Sequence, residues 1–365
     1  MTKHLCFVVG RLDGVLTSLV VDDGSGLVQR VGRTATGPRP MPVVVDAARR
    51  LLHVGNGGDP HSIAALSWAP DGSTRLIATV ECPIAQTYMS VVGDLLMAVS
   101  YAQCRLACAR IGSDGLVDAS SWRVSGTGRQ PHCIVADPDG RHVYMSLLGE
   151  DSVVGFRVAD GELVPDGSLA AGFGREAGPR HIRFSPDGSS LYVIEELGGR
   201  VVHFRRDPVS GALAPSGSTM SCVAPDAGLR HGVYVPPGRE PTADETDHRI
   251  WASDLVIGPD GTWAVASERR ASTLTMTALD PDGGFGVRFA QLGTQPQPRG
   301  MGLIGPHLVI VGSELGRTAS IYRADARGLR EAAVVDDLGG PIWMESVPLP
   351  SGDGGRSGGS RMPHG

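Results

Sequence analysis

The chain has almost no lysine. Lys3 is the only one among 33 lysines and arginines, so nearly every cation is an arginine. Chemistry through a lysine Schiff base is thereby excluded. A single arginine also says little, because arginine is the default surface cation here. No run of basic residues is long enough to follow a phosphate backbone, and the net charge is −6; nucleic acid is not an expected partner. No apolar run approaches the roughly 18 residues of a membrane span. The apolar stretch before Gly10 and Arg11 is too short for a signal peptide. The expectation is a cytoplasmic protein with no membrane partner, monomeric by default because no interface suggests itself. The six cysteines (6, 82, 104, 108, 133 and 222) form no CxxC pair, which excludes the usual zinc and disulfide frameworks and predicts free, mostly buried thiols. Cys104 and Cys108 are expected on one face of a strand.

Glycine and proline are abundant instead, 51 and 26 in 365 residues, with 41% hydrophobic residues to build a core. That balance fits many short strands joined by tight turns. Seven apolar segments each run through a glycine turn into a second strand, with turn glycines at 26, 72, 115, 161, 211, 283 and 328. Their spacing is 43–50 residues except for one interval of 72, between 211 and 283. A period near 45 with four strands per unit is a propeller blade. The long interval holds an insertion over residues 235–248, rich in Pro, Asp, Glu and Thr. A second hairpin alternates with the first and carries Pro-Asp-Gly at 138–140, 186–188 and 259–261; this is a structural turn signature without chemical weight. The expectation is all-β: one seven-bladed propeller of four-stranded blades over residues 1–350. The C-terminal strand at 341–347 is expected to pair with the N-terminal strands and close the ring, leaving no free edge there. Residues 351–365, rich in Gly and Ser, are expected to be disordered.

Blade geometry sets where chemistry collects. The inner strand starts at one face and the second strand returns to it, so residues at those two places ring one mouth of the channel, away from the Pro-Asp-Gly turns. Six positions before Pro138 stands His132, and six before Pro186 stands Arg180. Ten after Pro186 stands Glu196, and ten after Pro259 stands Arg269. Arg299 begins another inner strand, and Tyr88 and Tyr101 occupy comparable places in an earlier blade. Each has a bland reading as a core or rim residue; their convergence on one mouth points to chemistry. Clustered arginines favour a carboxylate, a phosphate or a developing oxyanion, with planar forks suited to bidentate contact. His132 and Glu196 can carry protons near neutral pH. The set could open a lactone ring with no cofactor and no metal. A calcium site needs converging oxygen ligands, and the only carboxylates expected nearby are Glu195, Glu196 and Asp254.

From about residue 128 to 348 the chain resembles the seven-bladed lactonase family that includes bacterial 6-phosphogluconolactonases and fungal-type carboxy-cis,cis-muconate cyclases. The matching stretches are Gln-Pro-His-Cys (130–133), Gly-Pro-Arg-His (178–181), Glu-Glu-Leu (195–197), Ala-Ser-Asp (252–254), Glu-Arg-Arg-Ala-Ser (268–272), Gln-Pro-Arg-Gly (297–300) and Gly-Pro-Ile-Trp (340–343). The resemblance implies that His132, Arg180, Glu196 and Arg269 are pocket residues: the arginines hold the anion or oxyanion, and His132 and Glu196 serve as acid and base. Arg299, Tyr88, Tyr101 and Asp254 are then candidate substrate contacts. The implied function is hydrolysis of a small anionic lactone, 6-phosphogluconolactone or a related sugar lactone. A lactonizing cycloisomerase and a non-catalytic binding scaffold are the alternatives. Arg39-Pro40-Met41-Pro42 departs from the family's first-blade pattern, as do Tyr88, where a histidine is expected, and Leu147–Ser152, which lacks a lysine. These departures leave room for another lactone. The 235–248 insertion joins blades on the pocket side and is a candidate lid.

Overall fold

The second strand of a propeller blade is packed on both faces, so it must read as an unbroken apolar run rather than an alternating one. Leu95–Ser100 (LLMAVS), His142–Leu147 (HVYMSL) and Leu308–Ser313 (LVIVGS) do so, with every residue buried. Outer strands such as Thr74–Glu81 alternate between half-buried and exposed, as a sheet with one wet face should. A computed structural model of the chain describes residues 2–239, 241–325 and 327–350. Seven antiparallel sheets stand around a central channel, one of them with a short fifth strand, Ala171–Gly172. Pro341–Pro348 is the inner strand of the blade that continues with Lys3–Gly10, Val15–Asp22 and Val28–Ala35. The ends of the chain therefore share one blade, as the sequence predicts, through pairs such as Leu5 with Val347 and Val8 with Met344. The expected tail, 351–365, lies outside the described residues.

All seven turn glycines lie at the hairpin between third and fourth strands, and all have positive φ, from 72° at Gly161 to 113° at Gly328. A Cβ at Gly72 would sit 2.1 Å from the Val31 side chain of the neighbouring blade, so that turn tolerates no side chain on two grounds. Apolar residues from adjacent sheets interlock between blades. One such cluster joins Val99, Tyr144, Val193 and Phe204 from three consecutive blades. At the Pro-Asp-Gly face, Asp137 accepts from Arg206 and from His142 Nδ1 (2.8 Å), an ion network deep between two blades. It ties the two blades together. All six cysteines are free. Cys104 is not on a strand face with Cys108: it has φ 52° in the turn before Arg105–Arg110, and only Cys108 lies in the strand. No helix among the described residues is long and apolar enough to cross a membrane.

The inner strands share a local irregularity that builds the mouth of the channel. Arg39, Gln130, Gly178, Gln297 and Gly340 all have positive φ, and each is followed by the proline that begins an inner strand. The pairing register then slips just inside all five of these strands, between Pro40 and Val43, Pro131 and Cys133, Pro179 and Ile182, Pro298 and Gly300, and Pro341 and Trp343. A bulge releases one or two residues from the ladder and re-aims their side chains. The released positions include His132, Arg180 and Arg299. Arg39, Gln130 and Gln297 hold a left-handed backbone without being glycine, a cost of roughly 1–2 kcal/mol each that is characteristic of functional sites.

Candidate active site

A cavity of about 410 Å³ occupies this mouth, and His132, Arg180, Glu196, Arg269, Arg299 and Tyr101 all line it. Glu196 follows the second strand Ser190–Glu195, and Arg269 follows Trp263–Glu268. Adjacent Glu195 is structural: it is buried and grips Arg200 with both oxygens, at 2.9 and 3.0 Å. Glu196 instead joins the two arginines of the floor. Its Oε2 accepts from Arg180 Nε at 2.7 Å and from Arg269 Nη2 at 2.8 Å. Burial pushes the Glu196 carboxyl up, but Arg269 and Arg180 outweigh it and hold the group below its ordinary value. It is a carboxylate at neutral pH.

Both arginines are rigidly held. Arg180 also donates through Nη1 to the Ser253 carbonyl and to His181 Nε2 (3.0 Å). Arg269 donates to the Trp251 carbonyl through Nε (3.2 Å), and its guanidinium lies 3.7 Å from the centroid of the Trp251 ring. Burial pushes Arg269 down to about 9, which still leaves it charged at neutral pH. Nη2 of Arg180 and Nη1 of Arg269 have no hydrogen-bond partner among the described residues, leaving one amino group on each for a ligand. Arg299 is paired with Glu314 (2.8 Å), which Arg11 also contacts at 3.3 Å.

His132 differs from its neighbours. No protein group among the described residues hydrogen-bonds either ring nitrogen, and Nδ1 is fully buried. The ring packs edge-on to Tyr101 (5.9 Å between centroids) and His181 (5.3 Å). Burial, and then the charges of Arg180, Arg299 and Arg269 together with His181, hold the imidazole well below its ordinary value. It is a neutral base at pH 7 in a positive environment.

Two expected contacts lie elsewhere. Tyr88 and Asp254 are not at the mouth but one layer deeper in the channel. Tyr88 starts an inner strand with no bulge, Tyr88–Val92, whose register with Val99–Leu95 is continuous. Its hydroxyl accepts from Arg183 Nη1 (3.0 Å), and its ring packs on Trp343 and His181. Asp254 lies in the register slip between Ala252 and Leu255, which turns it inward. Its Oδ1 accepts from His181 Nδ1 (2.7 Å) and Arg183 Nη2 (3.1 Å), and its Oδ2 from the Met301 amide (3.0 Å). The two contacts of His181 fix its tautomer: Nδ1 carries the proton toward Asp254, and Nε2 accepts from Arg180. Burial pushes His181 down to about 4, so this tautomer persists at neutral pH. Register counting missed His181, Trp251, Arg39 and Arg270, all close to the named residues. His181 was legible inside Gly-Pro-Arg-His; Arg39 was legible as the same left-handed residue before proline.

The layer below holds a further titrating group. Burial pushes Glu345 up to about 7 from an ordinary value of 4.5, while its Oε1 accepts from Trp343 Nε1 at 3.1 Å. The native state then holds a proton between pH 4.5 and 7 that the unfolded chain lacks, so this group makes the protein less stable as pH rises through that window. Glu345→Gln should therefore stabilise by up to about 3 kcal/mol at pH 8 and by nothing at pH 4. Thermal melts of both proteins at the two pH values check this; equal gains at both would contradict it.

Comparison with known proteins agrees with this geometry. A family model described as lactonase, 7-bladed β-propeller, matches residues 8–344. The chain belongs to that family of lactone-hydrolysing propellers. Among curated relatives, the 6-phosphogluconolactonase of Sodalis glossinidius is 27% identical, over 88% of this chain and 92% of the relative. That of Cronobacter sakazakii is 28% identical, over 92% and 93%. The periplasmic gluconolactonase PpgL of Pseudomonas aeruginosa superposes with a TM-score of 0.76 at 21% identity, covering 96% of this chain and all of that one. A Lactobacillus plantarum protein gives 0.80 at 19%, over 95% and 100%. At these identities the structures speak for the fold.

Proposed function

We propose that the chain opens a small anionic lactone by metal-independent attack of water, with His132 as the base. The observation that carries this reading is a neutral, unpartnered imidazole beside two arginines that share one carboxylate. His132 takes a proton from water as its oxygen adds to the lactone carbonyl. The free amino groups of Arg180 and Arg269 hold the resulting oxyanion. The ring C–O bond breaks, and the leaving alkoxide takes the proton back from His132. Glu196, ionised and held by both arginines, fits an anchor that aligns them better than a second proton carrier. Its double engagement also makes it a poor metal ligand, which supports a reaction without metal.

The names of the sequence relatives put 6-phosphogluconolactone first among substrates, and the arginines suit its phosphate. The test is acid release from that lactone and from glucono-δ-lactone in weak buffer containing a chelator, against the spontaneous rates. Acceleration is expected. Loss of activity on chelation would overturn the metal-free mechanism, and no acceleration of either lactone would remove the sugar-lactone assignment. The same base predicts the pH profile. Because His132 titrates well below 6.5, the acid limb of kcat/KM should lie well below that value. Arg299→Gln removes one of the charges that depress it and should shift the limb upward. An unshifted limb would show that another group is the base.

A further inference from the structure

The long interval in the repeat builds a roof over the active site. The chain between Leu213–Ser221 and Ala252–Ile257 crosses the mouth, and its residues Val233, Val235, Ile250 and Trp251 line the cavity beside Leu148 and Leu197. Backbone hydrogen bonds pin this roof at its base: Arg230 N to His248 O (2.7 Å), Ile250 N to Arg230 O (2.9 Å) and Gly232 N to Leu197 O (3.0 Å). Arg230 and Arg249 both grip Asp244, at 3.1 and 3.0 Å. Part of the cavity wall is thus aliphatic.

The lining of the cavity is also charged. Six arginines line the cavity against two carboxylates, Glu196 and Glu245. Four of the six are engaged: Arg180 and Arg269 with Glu196, Arg249 with Asp244, and Arg299 with Glu314. Arg39 and Arg270 have no ion-pair partner among the described residues. The buried Nε of Arg270 has no hydrogen-bond partner either. Such a cavity offers surplus positive charge for an anion. Beside that charge, Val233, Val235, Ile250, Leu148 and Leu197 give apolar lining that cannot satisfy a hydroxyl, whose burial without a partner costs about 1–3 kcal/mol.

Resting on the lactonase reading, we infer that the site hydrolyses a second class of substrate: lactones that carry a carboxylate at one end and an alkyl or aryl arm at the other. The carboxylate faces the arginines, and the arm lies under Val233, Val235 and Ile250. Each buried methylene adds roughly 0.8 kcal/mol, so a pentyl arm that is only partly covered still raises kcat/KM by at least tenfold.

The probes are γ-butyrolactone-3-carboxylate with and without a γ-pentyl chain, alongside glucono-δ-lactone, with acid release as the readout. The pentyl lactone is expected to be opened at least tenfold more efficiently than its unsubstituted parent. Val233→Ser and Ile250→Ser, assayed separately, should each reduce that ratio severalfold. Because the ratio compares two substrates on one sample, partial misfolding cancels. Opening of glucono-δ-lactone with no gain from the pentyl chain would overturn this inference and leave the lactonase reading standing. A gain that neither variant reduces would also overturn it. Failure to open any of the three lactones would overturn both.

Discussion

Replacing Arg180 by alanine is expected to lower kcat by about 10²–10³, the usual cost of removing one preorganised oxyanion donor. The side chain is used at nearly every nitrogen. Nε holds Glu196, Nη1 holds the Ser253 carbonyl and His181, and Nη2 is left for the substrate. Lysine offers one charge without the planar fork, so Arg180→Lys should recover little of the loss. Steady-state kinetics of the two variants check this. Wild-type kcat in Arg180→Ala would mean that the transition-state charge is held elsewhere.

The second large effect is on stability. Asp254 is the hub of the layer beneath the site, and its ionised oxygens accept from His181, Arg183 and the Leu255 and Met301 amides. Burial raises its carboxyl, but His181 and Arg183 hold it far below the ordinary range. Asp254→Ala leaves the Arg183 charge and two buried amides uncompensated, and should cost about 3–5 kcal/mol. It also frees His181 from the tautomer that accepts from Arg180, so kcat should fall with it. Asp254→Asn keeps acceptors without the charge and should fall between. Denaturant unfolding of the three proteins measures the first effect. Loss of less than 1 kcal/mol in the alanine variant would mean that the hub contributes no net stability.

Where the sequence was informative, it was informative for a physical reason. The seven turn glycines were legible because only glycine is at ease at the positive φ each adopts. His132, Arg180, Glu196 and Arg269 were legible because equal offsets from equivalent turns reach equivalent heights along the channel, and Arg299 because it starts an inner strand. Position along the chain does not by itself give depth in the channel where one inner strand lacks the slip that the others share, or where the slip falls at a different residue. Tyr88, placed by analogy with the other blades, sits in an unbulged strand, and Asp254, placed by the family resemblance, lies within a bulge that turns it inward, so both lie one layer deeper. The 235–248 insertion was legible as a candidate lid, but Val233 and Ile250 beside it were not, because the segment has no repeat to count against. Its role depends on which way Val233 and Ile250 face, which follows from the backbone hydrogen bonds of Arg230 and Gly232. The division of labour proposed for His132 and Glu196 was equally hidden, since it depends on which of them the arginines engage.

The most direct test of the account is acid release from 6-phosphogluconolactone and glucono-δ-lactone by wild type and His132→Ala side by side, with the spontaneous rates subtracted. The account predicts clear acceleration by the wild type and a loss of about 10²–10⁴ in kcat in the variant, the range for removing a general base. Equal acceleration by the two proteins would contradict it, because the water would then be activated by a group other than His132.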